Sequence, residues 1–187
     1  MAEIRTIAVI GAGAVGRGIA LASALAGYRT ILEDILPSSL RSAAAEIRTS
    51  LAKSAEQGAV SPAEAQAAFD RVEYASTVEQ AAREADLVIE AVPEEMESKI
   101  EIFTLLDKIC KPATILASNT SSLSVTEIAS VTYRAKRIVG MRFAKPGQQK
   151  SLTIVRTLET DDETMNACIQ VGRRMGKDVE LIQEPAS

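Results

Sequence analysis

The sequence predicts an α/β fold: a doubly wound, mostly parallel sheet with helices on both faces, in a single domain over residues 1–187. Three observations predict it. Short β-rich runs alternate with helical stretches along the chain, joined by short links. Apolar residues make up 47% of the 187 residues but aromatics only 3%, so Ala, Val, Ile and Leu carry the core. Such side chains suit helices packed on parallel strands better than a β-sandwich. The third is a glycine-rich turn between the first strand and the first helix.

The elements follow in order. Thr6–Ile10 is a short β-rich run, and Ala14–Ala26 is a helix of small residues stopped by Gly27. Arg29–Asp34 is the second strand, followed by a long helix from Ser38 to Gln57 that ends near Gly58. Ser61-Pro-Ala-Glu64 has capping-box spacing with proline at the first helical position. Ser76-Thr-Val-Glu79 reads as a second box, opening a short helix before the strand Leu87–Val92. From Glu94 to Cys110 the residues Met96, Ile100, Phe103 and Leu106 recur at helical spacing. Thr114–Ala117, Arg137–Arg142 and Leu152–Arg156 read as strands. Thr160-Asp-Asp-Glu163 caps a last helix running to Met175, Gly176 ends it, and Asp178–Ile182 is the final strand. No repeat, low-complexity tract or linker divides the chain.

Several function classes are excluded at this level. The net charge is −4 with no basic block, which argues against a nucleic-acid partner. The chain contains 0 histidines, so no imidazole serves as a base or a metal ligand, and no metal site is expected. Cys110 and Cys168 lack CxxC spacing and sit in apolar stretches, as free core thiols of a reducing compartment do. The apolar stretch Ile7–Gly27 is interrupted by glycines and Arg17 and follows no basic region. A strand, turn and helix explain it better than a signal peptide or membrane span. No membrane association and a cytoplasmic location are therefore expected.

Chemistry enters with Gly11-Ala-Gly13-Ala-Val-Gly16, which follows a strand and opens a helix. The first glycine makes the tight turn. The second lets the backbone approach a pyrophosphate, and the third lets helix and strand pack closely, with the helix N-terminus aimed at the phosphates. Asp34 closes the second strand about 20 residues on, where an acid bonds the ribose hydroxyls. That pairing predicts a Rossmann-type dinucleotide site. A carboxylate there repels a 2′-phosphate, so NAD is favoured over NADP. Glu33 is the alternative acid or a surface charge, and Arg17 is either a phosphate contact or an exposed helix residue.

The segments Ile10–Ala20, Asp86–Glu94 and Ile115–Ser124, with Leu158–Thr164 and Gly172–Lys177, resemble the L-3-hydroxyacyl-CoA dehydrogenase family across essentially the whole chain. The resemblance implies NAD chemistry on the 3-hydroxy group of an acyl-CoA thioester. It places Ala14, Val15, Ala91, Val92 and Glu94 beside the cofactor with the three glycines, and Glu90 at the strand end facing the nicotinamide side. Lys99 matches a lysine near the cofactor. Ser118, Asn119 and Ser121 match the loop that meets nicotinamide and substrate, with Ser121 as a candidate catalytic residue. Without the resemblance, Ser118–Ser122 reads either as a ligand edge or as helix capping.

The departures from the family pattern bear most on function. After the sixth strand the family carries a Gly-Met-His-Phe-Phe-Asn-Pro-like run whose histidine is the general base, whereas this chain has Gly140-Met-Arg-Phe-Ala-Lys-Pro146. Arg142 stands at the histidine and Lys145 at the asparagine. The family's glutamate partner falls, after a one-residue gap, on Thr153. Arginine stays protonated and takes no proton, while a positioned base is worth about 10²–10⁴-fold. The sequence also ends near the point where the family's helical domain begins.

Three functions follow as alternatives. The first is an NAD(H)-binding relative with weak or no classical hydride transfer. The second is a dehydrogenase of altered mechanism, with Lys145 as base if burial beside Arg142 depresses its pKa and Arg142 clamping an anion. The third is a non-catalytic interaction module. An acyl-CoA-like small molecule is the expected ligand, with Ser50 and Lys53 of the long helix facing CoA. A homo-oligomer or a partner chain is expected over the apolar face that the helical domain covers in the family.

Overall fold

The computed structural model describes residues 3–145 and 150–186. Pro146 and Ser187 lie outside the described residues. Eight strands form one sheet in the order β3-β2-β1-β4-β5-β6-β7-β8. In chain order they are β1 (Thr6–Ile10), β2 (Arg29–Glu33), β3 (Val72–Ala75), β4 (Leu87–Glu90), β5 (Ile115–Ser118), β6 (Ile138–Phe143), β7 (Ser151–Arg156) and β8 (Asp178–Gln183). The first six are parallel; β7 runs antiparallel to β6, and β8 follows β7. The continuous apolar runs have a cause: β1, β4 and β5 are buried along their whole length, so alternation gives way to uniform hydrophobicity.

Helices cover both faces. On one side α1 (Ala14–Leu25), α2 (Pro37–Glu56), α3 (Pro62–Asp70) and α7 (Asp162–Arg174) contribute Ile19, Ile47, Ala68 and Val171 to a core with Ile7, Val9, Leu87 and Ile89. On the other, α4 (Val78–Ala82), α5 (Met96–Ile109) and α6 (Val125–Ala129) bring Ala81, Phe103, Leu106 and Ile128 against Ala8, Ile10, Val88 and Leu116. Strand β1 lies between β2 and β4, so the strand order reverses there. A crevice outside the carboxyl ends of such strands is where doubly wound sheets hold ligands.

The doubly wound, largely parallel architecture agrees with the sequence expectation. The details differ where elements are short. The four-residue edge strand β3, the five-residue helix α6 and the 3₁₀ turn Ala135–Arg137 were not expected. Two caps shift by one residue. Thr77, not Ser76, accepts from Gln80 N at 3.2 Å. Asp161, not Thr160, accepts from Thr164 N at 2.8 Å, because Thr160 turns inward and donates to the Ile138 carbonyl at 2.7 Å. The Ser61–Glu64 capping box is present with both of its bonds. Strand β4 ends at Glu90, two residues short of the Val92 expected from sequence.

Both cysteines are free and buried. Burial pushes the Cys110 thiol up to about 11 and the Cys168 thiol up to about 12, so neither is a reactive thiolate at neutral pH. Among the described residues no helix is long and apolar enough to cross a membrane, and no group of three or more His, Cys, Asp or Glu is placed to hold a metal ion.

Candidate cofactor site

The glycine turn sits at the reversal point. Gly11 has φ +102°, and a Cβ there would lie 2.7 Å from the Ala91 carbonyl oxygen. Only glycine accommodates both the backbone conformation and that approach. Gly16 is more restricted still, since a Cβ would fall 1.7 Å from the Gly11 oxygen. These two glycines serve the fold. Gly13 differs: nothing lies within 4 Å of where its Cβ would be, and the residue is exposed. Packing gives no reason for glycine here. An open approach for a ligand to the backbone does.

Gly13 is also the N-cap of α1, with no side-chain cap and no acidic residue in the first turn. Among the described residues no side chain accepts from the leading N–H groups of the helix, which leaves them open as phosphate binding requires. Ala14 is exposed and Val15 half-buried at this end.

Asp34 lies immediately after β2, with Oδ2 accepting from Ala12 N at 3.0 Å and Oδ1 from Leu36 N at 2.9 Å. The carboxylate is therefore fixed against the glycine turn and half-exposed. Its neighbour Glu33, for which the sequence allows a surface charge, is instead buried. Burial, then the charges of Asp34 and Glu79, push its carboxyl up to about 7. Arg17 pairs with Glu46 at 2.8 Å, on the helix flank.

Below the crevice is a buried polar cluster. Glu90 and Lys99 have no exposed side-chain surface and pair at 2.6 Å. Glu90 Oε1 accepts from Ser118 Oγ at 2.7 Å, and Oε2 also accepts from Val92 N at 2.9 Å. Lys99 Nζ additionally donates to the Val92 carbonyl at 3.3 Å. The ammonium is thus spent inside the protein, and Lys99 acts on the site through Glu90 and the 91–92 backbone.

The loop after β5 is held from two sides. Glu94 accepts from Thr120 Oγ1 at 2.6 Å, Ser121 N at 2.9 Å and Ser121 Oγ at 3.0 Å. Its partial burial pushes the carboxyl up, but the Ser121 and Thr120 bonds and the Lys99 charge outweigh this and hold it below the ordinary value. From the other side Arg142 Nε donates to the Thr120 carbonyl at 2.7 Å, and Asn119 Oδ1 accepts from Phe143 N at 2.9 Å. Thr120, absent from the sequence expectations, is the hub; no local pattern marks it. Arg142 pairs in register with Thr153 across β6 and β7, so the two departures from the family pattern face one another. Lys145 is exposed beyond the strand end.

The fold therefore gathers Gly11, Gly13, Ala14, Val15, Gly16, Asp34, Ala91, Val92, Glu94, Asn119, Ser121 and Arg142 at the carboxyl edge of the sheet. It puts Lys99 beneath them and leaves Lys145 outside. A groove of about 770 Å³ adjoins this edge, bordered by Val15, Arg17, Ser50, Phe143, Ala144 and Lys177.

The comparisons with known proteins agree with this geometry. Residues 6–184 match the family described as 3-hydroxyacyl-CoA dehydrogenase, NAD binding domain. The chain is 42% identical over 176 residues to a probable 3-hydroxybutyryl-CoA dehydrogenase of Bacillus subtilis (strain 168), covering 94% of this chain and 61% of that protein. It is 36% identical over 184 residues to the 3-hydroxybutyryl-CoA dehydrogenase of Bradyrhizobium diazoefficiens, covering 98% and 62%. Among solved structures, the (S)-3-hydroxybutyryl-CoA dehydrogenase of Ralstonia eutropha superposes with a TM-score of 0.93 at 32% identity, covering 98% of this chain and 65% of that one. The chain thus spans about three-fifths of the length of these curated relatives. With the glycine turn at the strand reversal and Asp34 fixed beside it, the chain belongs to the 3-hydroxyacyl-CoA dehydrogenase family as an NAD-binding domain.

Proposed function

We propose that the chain binds NAD(H) across the carboxyl ends of β1 and β4 and receives an acyl-CoA-like compound beside it, with classical hydride transfer severely reduced. Bound NAD supplies the hydride acceptor. The backbone N–H groups from Gly13 onward hold its phosphates, Asp34 its ribose, and the Glu94-fixed loop borders the reacting end. What is missing is a proton acceptor for the substrate hydroxyl.

One observation carries this reading. Arg142 stands opposite Thr153 where the family resemblance places a histidine and its glutamate partner, and the chain has 0 histidines to substitute. A guanidinium takes no proton at working pH. The altered mechanism with Lys145 as base requires burial beside Arg142, and Lys145 is exposed, which disfavours that role. The interaction-module reading is disfavoured by the open Gly13, which a purely structural turn does not need.

The groove beside the edge takes the acyl-CoA handle, with Ser50 on its α2 wall. Leu25 on the groove wall, Leu158 and Leu181 are exposed apolar residues, and a second copy or a partner chain covers them. Light scattering at working concentration tests that point, and a clean monomer contradicts it.

The functional test is NADH absorbance with acetoacetyl-CoA, at high concentration of the purified chain, together with an NADH-binding titration. Binding without oxidation supports the proposal. Oxidation that depends on both chain and substrate, at rates normal for dehydrogenases, overturns the reduced-activity part and leaves the cofactor assignment intact.

A further inference from the structure

The Arg142 side chain is held by one end only. Its Nε donates to the Thr120 carbonyl at 2.7 Å, and its terminal nitrogens have no partner among the described residues. The residue is half-buried, a setting in which a cation gains from a counter-charge. Of the other half-buried arginines, Arg17 meets Glu46 at 2.8 Å, Arg134 meets Asp107 at 2.7 Å and Arg156 meets Asp162 at 2.8 Å, whereas Arg71, like Arg142, donates to a backbone carbonyl, that of Ala24 at 3.0 Å.

The surrounding carboxylates do not meet this need. Glu94, on the opposite side of Thr120, is engaged by Thr120 Oγ1 and by Ser121 N and Oγ. Glu180 is next in the same cross-strand row, separated from Arg142 by Thr153 on the intervening strand. The exposed Lys145, three residues on, adds positive charge rather than removing it. The Nε anchor leaves the planar terminal edge of the guanidinium unspent, and such an edge matches the two oxygens of a carboxylate.

From this we infer that Arg142 is the anchor of a carboxylate-binding site, so that the 3-oxo or 3-hydroxy compound accepted here carries a free carboxylate on its acyl part. The inference rests on the proposed function for the substrate's 3-oxo or 3-hydroxy group and adds a free carboxylate to its acyl part. The carboxylate contact itself is independent of NAD. A neutral thioester or ester offers the guanidinium no charge to pair with, so the site discriminates by charge at the acyl end.

The test uses acetoacetate as probe and methyl acetoacetate as its neutral counterpart. Binding is read by heteronuclear NMR shifts on the 187-residue chain, first without cofactor and then with NADH. NADH binding is titrated separately by its own fluorescence. Acetoacetate is expected to bind and to shift Thr120, Ser121 and Arg142 resonances, with the ester binding at least tenfold more weakly. Arg142→Gln keeps a donor for the Thr120 carbonyl but removes the charge, and is expected to weaken acetoacetate binding about 10–100-fold, the range for a lost charged hydrogen bond. Arg142→Lys restores part of the loss. Equal binding of acid and ester, or an Arg142→Gln variant with undiminished acetoacetate affinity, overturns the inference. So does inorganic phosphate binding at Arg142 where acetoacetate does not. Failure of NADH to bind while acetoacetate still does rejects the cofactor reading and leaves the carboxylate site standing.

Discussion

Lys99 lies 2.6 Å from Glu90, and neither side chain has any exposed surface. The pair joins α5 to the end of β4, and through Ser118 Oγ to the end of β5. Because it sits under both loops that border the cofactor crevice, it fixes their separation.

Removing one partner leaves the other as an unpaired buried charge. Lys99→Met is therefore expected to cost about 3–5 kcal/mol of folding free energy, read as a lower urea midpoint at unchanged slope. The double variant Lys99→Met/Glu90→Gln recovers part of that loss, since it leaves no isolated charge. A single variant as stable as the parent contradicts the buried pairing.

The glycines separate fold from function. Gly16→Ala forces a Cβ to within 1.7 Å of a backbone oxygen and is expected to unfold the domain or destabilise it by several kcal/mol, at least about 3. Gly13→Ala meets no protein atom within 4 Å, so its stability stays within about 1 kcal/mol of the parent, the usual difference between glycine and alanine at an N-cap. Its NADH affinity falls, because the new methyl occupies the approach to the phosphates. Denaturant melts and NADH titrations on the two variants check both halves.

How much of this was legible in the sequence depended on range. The glycine turn, β1, α1 and Asp34 declare themselves within one strand–turn–helix unit, where local chemistry decides the outcome. Short elements register when an apolar run or a preceding cap marks them, as with β4, β5 and α4, whereas β3 has two exposed residues at its centre and no apolar run, and adjacent capping residues leave the start ambiguous, as with Ser76 and Thr77. The Glu90–Lys99 pair spans a strand, a loop and a helix, so its burial is a tertiary fact. Arg142 was visible as a departure, but the engagement of its Nε by Thr120 was not, because that bond joins residues 22 apart.

Glu33 gives a pH dependence. Its carboxyl is raised from 4.5 to about 7 in the folded chain, first by burial and then by Asp34 and Glu79. The folded state therefore binds more protons than the unfolded one between those values, and stability falls as pH rises from about 4.5 to about 7, levelling off above. Glu33→Gln removes this loss and is expected to be more stable than the parent by roughly 1–3 kcal/mol at pH 8, because a tenfold change in proton affinity is worth about 1.4 kcal/mol. Equilibrium melts of both proteins from pH 5 to pH 8 check it. Parallel profiles contradict the assignment.

The proposed function depends on NAD(H) occupying the crevice between β1 and β4, with Asp34 on the ribose. Calorimetric titration of NADH and NADPH into the parent chain and into Asp34→Asn measures this without relying on turnover. Saturable NADH binding is expected, with markedly weaker NADPH binding and a narrowing of that preference in the variant. No NADH binding at millimolar concentration, or equal affinities unaffected by Asp34→Asn, rules out this assignment of the crevice.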